Sequence, residues 1–132
     1  MIFLLDTNAL IELRRKNPVL IGHLKQHSPA SLCYSVISVG EIHKGIVQHP
    51  IEKAAAMWEH WKQLLGPLSP IDFTMAAAMT WGRLLHETRS QQIGPRDLLI
   101  AATARAFGMT VVTHNLREFT RIEGLPVEDW QA

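Results

Sequence analysis

The sequence predicts an α/β fold, three layers deep, with a mainly parallel central sheet flanked by helices. Three observations predict it. Short apolar or β-branched runs, "IFLL", "SLCYSVIS" and "MTVVT", are separated by longer segments of helical periodicity. The first run is apolar at every position, as in a strand covered on both faces. Glycine and proline punctuate the boundaries between the two kinds of segment.

The elements follow in order. Ile2–Leu5 reads as the first strand, and Leu10, Ile11 and Leu13 suit a short helix from Asn8 that Pro18 stops. Val19–His27 is expected to form a second helix, closed by Ser28-Pro29. "SLCYSVIS" then makes a strand, and a Ser38 cap opens a helix carrying Glu41, Ile42 and Ile46. In "IEKAAAMWEHWKQLLG" the residues Ala54, Trp58, Trp61 and Leu65 fall on one helical face, so Trp58 and Trp61 are expected in the core rather than at an interface. "PLSPID" suits a short strand and turn. "FTMAAAMTWGRLLHETRSQQ" suits a long helix whose Ala76, Ala77 and Ala78 allow close approach of a neighbour. Pro95 and Gly108 bracket a further helix, "MTVVT" is a strand, and a helical turn and an extended piece close the chain.

With 132 residues, the chain is expected to be a single domain, residues 1–132, burying roughly two thirds of its unfolded surface. An apolar fraction of 47% suits a folded globular protein, and no run reaches the ~20 apolar residues of a membrane span. The N-terminus is not expected to be a secretory signal, as it lacks the basic region and Asp6 follows only five residues, and the one cysteine, Cys33, excludes an internal disulfide. The cytoplasm is the expected compartment, without a membrane partner. A formal charge of +1 leaves any nucleic-acid contact to a local patch. Arg14-Arg15-Lys16 is the densest basic run and the candidate phosphate-backbone contact, against its plainer role as a solvated helix end.

Chemistry concentrates in four acids. Asp6 ends the first strand, Glu41 lies early in the helix after the second, Asp97 occupies the first turn of the Pro95 helix, and Glu118 follows "MTVVT". In a parallel sheet, right-handed crossovers gather such positions at the carboxyl edge, where ligands of open α/β sheets bind. Singly, each has an ordinary explanation as a cap, a helix-dipole partner or a surface charge. Together they are different. Two carboxylates ~4 Å apart repel by about 4 kcal/mol at an effective dielectric near 20. Such a cluster needs protonation or a cation, and all-oxygen ligands suit Mg²⁺ or Mn²⁺, as one or two ions. Zinc is disfavoured, since no Cys pair or His-Glu-x-x-His element is present. The implied reaction is metal-assisted attack of water on a phosphodiester, with Thr7, Asn8, Thr113 and Asn115 orienting the acids or a phosphate oxygen.

Other classes fit poorly. An aspartyl phosphatase needs a second Asp two residues after the first, where Asn8 stands, and no phosphate-binding Gly-rich loop with Lys-Ser/Thr occurs. His23 and His27 lie one helical turn apart without a third ligand, which favours a packing or solvated role. Trp130 is expected to pack the C-terminus down.

"FLLDTNALIE", "SVISVGEIHKGI", "GPRDLLIAATARAFGMTVVTHN" and "REFTRIEGLPVEDW" together resemble the PIN-domain ribonucleases, in particular the VapC-type toxins of bacterial toxin–antitoxin pairs. The resemblance covers essentially the whole chain and implies a PIN-like fold and a metal-dependent endoribonuclease. Its acidic site maps onto Asp6, Glu41, Asp97 and Glu118, and its Thr-x-Asn element onto Thr113 and Asn115. Many members carry Asp at the fourth acidic position; Glu118 has a longer side chain suited to holding an ion through water. The resemblance also implies a homodimer, a VapB-type antitoxin whose C-terminal segment covers the site, and structured RNA, a tRNA or rRNA loop, as substrate. Two alternatives stay open: an inactive RNA-binding or scaffolding module, marked by loss of acids, and an RNA-processing nuclease that is not a toxin.

Overall fold

A computed structural model describes residues 1–132. The chain runs β1 (Phe3–Leu5), α1 (Thr7–Arg14), α2 (Pro18–Leu24), a 3₁₀ turn (Pro29–Ser31), β2 (Leu32–Ser35), α3 (Val36–Ile46) and α4 (Ile51–Leu65). It continues through β3 (Ser69–Ile71), α5 (Met75–Glu87), α6 (Pro95–Ala106), β4 (Thr110–Val112), α7 (Leu116–Phe119) and β5 (Val127–Glu128). The strands form one sheet in the order β3-β2-β1-β4-β5. Every neighbouring pair is parallel, so the expected α/β architecture holds with no antiparallel edge.

Alternation along the central strand divides the interior in two. Phe3 and Leu5 face a core with Leu10, Ile42, Trp61 and Trp130, whereas Leu4 faces one with Cys33, Leu84, Ile100 and Phe119. Helices cover both faces, which is why the strand carries no polar residue until it ends. Trp61 is core, and Trp58 packs partly buried against that core and the His43 ring. Small residues bring α5 and α6 together: α5 buries Ala77, and α6 buries Ala101, Ala102 and Ala104.

Several boundaries differ from the sequence expectation, each for a local reason. Pro18 begins α2 rather than merely stopping α1; Asn17 caps it by accepting from the amides of Val19 and Leu20. That helix ends at Leu24, short of His27. Ser35 caps α3 through the Ile37 amide, so β2 stops at Ser35 and Ser38 is a buried helical residue, not a cap. The long alanine-rich helix ends at Glu87, where the Thr88 hydroxyl turns back to the Leu84 carbonyl. Gly108 takes φ +65° after α6, the left-handed stop expected of it.

Trp130 is 2% exposed and pins the C-terminus. Its ring stacks on His27 at 4.9 Å and 4° and on His23 at 5.8 Å and 11°, and meets Phe3 at 4.9 Å. The two histidines therefore pack rather than ligate. No helix is long and apolar enough to cross a membrane.

The strand order places the functional edge. From β1 the chain extends the sheet through β2 and β3 on one side and through β4 and β5 on the other. The reversal lies between β1 and β4, and their carboxyl ends flank the crevice where such sheets bind ligands.

Candidate active site at the carboxyl edge of the sheet

Asp6 is the residue at which β1 becomes α1. Its amide donates to the Val112 carbonyl at 3.0 Å, and its Oδ1 accepts from the Ala9 amide at 2.8 Å, capping α1. The side chain is thus both an N-cap and a rigid carboxylate at the crevice, 2% exposed. Burial pushes its carboxyl up; hydrogen bonds from Thr113 and Ala9 pull it back, and the charges of Glu41 and Asp129 raise it again.

α3 contributes Glu41 through a relay of hydroxyls. Thr7 Oγ1 donates to Glu41 Oε1 at 2.8 Å and lies 2.8 Å from Ser38 Oγ, so Ser38 in turn donates to Thr7. Ser38 and Glu41 stand three apart on one helical face, and both hydroxyl residues are buried. On its other oxygen, Oε2, Glu41 faces Arg96 Nε at 3.6 Å.

Asp97, in the first turn of α6, meets Glu118 of α7. Asp97 is pushed up to about 7, first by burial, then by a hydrogen bond shared with Glu118 and by the charges of Glu118, Asp6 and Glu41. Glu118 is held low, chiefly by that same hydrogen bond and by the Gly94 amide, which reaches Oε2 at 3.4 Å. Burial and the neighbouring carboxylates thus favour keeping a proton on the Asp97–Glu118 pair. Asn115 Nδ2 lies 3.4 Å from Asp97 Oδ2, and the Asn115 amide donates to Thr113 Oγ1 at 2.9 Å. Gly94 lies against both acids: a Cβ there would make ordinary van der Waals contact with Asp97 Oδ2 at 3.4 Å and Glu118 Oε2 at 3.8 Å, so its part in the site is played by its amide.

All four sequence-selected acids thus lie in one electrostatic neighbourhood, with Thr7, Thr113 and Asn115 bonded among them. Asn8 is exposed on α1, and its side chain hydrogen-bonds to none of the acids. Arg14 and Arg15 line a groove of about 310 Å³ that opens beside Thr7 and Glu41; Lys16 lies beyond it, in a left-handed turn at φ 61°. No three His, Cys, Asp or Glu side chains close up tightly enough to enclose an ion unaided.

Four contributors escape a reading of the sequence: Ser38, Gly94, Arg96 and Asp129. Asp129 follows β5 at the same sheet edge and bears on Asp6 while pairing with His114 at 3.0 Å. The signals are there in part, as Ser38 stands one turn before Glu41, and Gly94 and Arg96 flank Pro95 just ahead of Asp97.

Comparison with known proteins decides the family. The family described as "PIN domain" matches residues 3–125. The "tRNA(fMet)-specific endonuclease VapC" of Shigella flexneri is 31% identical, with 97% of each chain covered. This chain belongs to the VapC branch of the PIN-domain family. "Ribonuclease VapC2" of Haemophilus influenzae is also 31% identical over 97% of each chain. Among solved structures, VapBC2 from Rickettsia felis bound to a promoter DNA fragment superposes with a TM-score of 0.88 at 30% identity, covering 98% of this chain and 99% of that one. The PIN fold expected from the sequence is thereby established for this VapC-family chain.

Proposed function

We propose that this VapC-family chain is the toxin of a toxin–antitoxin pair, a Mg²⁺- or Mn²⁺-dependent endoribonuclease that hydrolyses phosphodiester bonds in structured RNA. The observation carrying this reading is the convergence of Asp6, Glu41, Asp97 and Glu118, from four different places in the chain, on the β1/β4 crevice. Burying like charges together opposes folding, and a hard divalent cation relieves that opposition.

The donor set fits such an ion. Its side chains offer carboxylate, hydroxyl and amide oxygens, while the only cysteine is buried inside the sheet. Mg²⁺ keeps several waters and takes only one or two protein carboxylates, so it does not require three side chains to close around it. Asp6 and Asp97 would hold it, with Glu41 and Glu118 as further ligands or through water. When bound, the cation supplies water activation and stabilises charge on the phosphoryl oxygens.

The chain's own residues prepare that site. Ser38 and Thr7 fix Glu41, Asn115 orients Asp97, the Gly94 amide steadies Glu118, and the Ala9 amide fixes Asp6. Rigid carboxylates need no reorganisation when the reaction begins. Arg14 and Arg15, along the adjoining groove, contact the RNA backbone. The named relatives support tRNA as the first substrate to test and a VapB-type protein as the antitoxin. A homodimer acting in the cytoplasm belongs to the same reading.

The test is cleavage of purified tRNA and rRNA by the wild type, Asp6→Asn and Asp97→Asn in Mn²⁺ or Mg²⁺, together with growth on induction. Wild-type cleavage and growth arrest, both lost in the variants, are expected. Cleavage without growth arrest would make this an RNA-processing nuclease instead. Undiminished cleavage by either variant would overturn the site assignment.

A further inference from the structure

Arg96 is placed oddly for a structural arginine. It sits in the first turn of α6, between Pro95 and Asp97, and its side chain crosses to α3 to face Glu41. The Nε–Oε2 separation of 3.6 Å is an ion pair but too long for a hydrogen bond, and the guanidinium donates no hydrogen bond within the chain. Glu41 does not need it, being held at 2.8 Å by Thr7 through its other oxygen. The Arg96 side chain is 58% exposed, so the pair is screened and contributes little to stability. Two other arginines have firm partners: Arg105 donates to Glu87 at 2.6 Å, and Arg121 to the Gln92 carbonyl at 3.1 Å.

A strand of RNA faces an electrostatic difficulty at this edge. The acids that would hold the cation repel its phosphates, and a chain of net charge +1 supplies no general attraction. A planar fork of unspent N–H donors beside those acids answers the difficulty, because guanidinium groups match phosphate oxygens two at a time. The weak link to Glu41 keeps the fork over the site and is cheap to break.

We infer that Arg96 is a phosphate-binding residue of the active site, resting on Glu41 in the free protein and transferring its guanidinium to a backbone phosphate of the bound RNA. The inference rests on the nuclease reading above and adds a substrate contact to it. Arg96 acts by touching substrate; it is not the residue that positions Glu41.

The experiment compares wild type, Arg96→Ala and Arg96→Lys for binding of purified tRNA in EDTA across a salt series, and for KM, kcat and the Mn²⁺ midpoint of tRNA cleavage. Melting by circular dichroism confirms that the variants fold. Arg96→Ala is expected to weaken tRNA binding roughly ten-fold and to lower the slope of log affinity against log salt by about one. KM should rise accordingly, the Mn²⁺ midpoint should hold, and Arg96→Lys should restore the salt slope but only part of the affinity. Unchanged tRNA affinity and salt slope in Arg96→Ala would overturn the inference, as would a shift confined to the Mn²⁺ midpoint, the mark of a mere counter-ion to Glu41. Absence of cleavage by the wild type would instead strike the nuclease reading, and the EDTA binding comparison would still decide the role of Arg96.

Discussion

Replacing Asp97 by Asn should make the metal-free protein more stable while destroying the proposed activity. The Asp97 carboxyl moves from an ordinary 3.8 to about 7 on folding. A rise of that size corresponds to about 4 kcal/mol of opposition to the folded state once the group is ionised. Asp97 is half-buried, and solvent screening reduces that to about 2 kcal/mol. Its place in the first turn of α6 returns roughly 0.5–1 kcal/mol through the helix dipole, which Asn forfeits. A net gain of about 1 kcal/mol remains, or ~4 °C in Tm for a chain of this size. The sign depends on pH. Near pH 4 the folded group is protonated and the unfolded one only about half ionised, so the variant has little advantage. As pH rises towards 7 the unfolded chain releases the proton first, so the penalty on wild type grows, and it is complete above the folded value. Thermal melts in EDTA at pH 4 and pH 8 measure it. A variant less stable than wild type at pH 8, or equally advantaged at both pH values, would refute the reasoning.

Further outcomes follow from the same contacts. Addition of Mn²⁺ near pH 6.5 should release up to about one proton per chain as the Asp97–Glu118 proton is displaced, read by calorimetry in buffers of different ionisation enthalpy; proton-neutral binding would contradict the shared proton. Thr7→Val removes the hydroxyl that holds Glu41 and leaves Ser38 without its partner. It should cost about 1–3 kcal/mol in stability and at least ten-fold in cleavage, whereas wild-type kinetics would show that the relay is idle. Trp130→Ala should destabilise by about 3–5 kcal/mol in urea melts, because the ring fills the core against Phe3, His23 and His27; a loss under 1 kcal/mol would mean the C-terminus is not pinned there.

Much of the site is legible in the sequence because it follows from topology. Asp6 terminates a fully apolar strand and Asp97 opens a helix marked by Pro95, so their placement at the sheet edge needs only a parallel order. The boundaries are harder where one residue serves two purposes. Asn17-Pro18 both ends one helix and starts the next, and Ser35 and Ser38 compete as caps until the strand pairing of Ser35 with Ile71 settles it. β5 is two residues long, too short to show periodicity, and with it goes the placement of Asp129. Ser38 is mistaken for a cap for the same reason that makes it useful: a hydroxyl on the inner face of α3 is recognisable only once Thr7 is known to lie opposite. Arg96 carries no pattern at all, since an exposed arginine beside Asp97 gains meaning only when α3 brings Glu41 within reach.

Anomalous diffraction from crystals of the wild-type protein soaked in Mn²⁺ puts the grouping of acids to the hardest test. A peak bonded to a carboxylate oxygen of Asp6 or Asp97, in the crevice between β1 and β4, is the expected result. Manganese bound only elsewhere, in protein that still cleaves RNA, would contradict it.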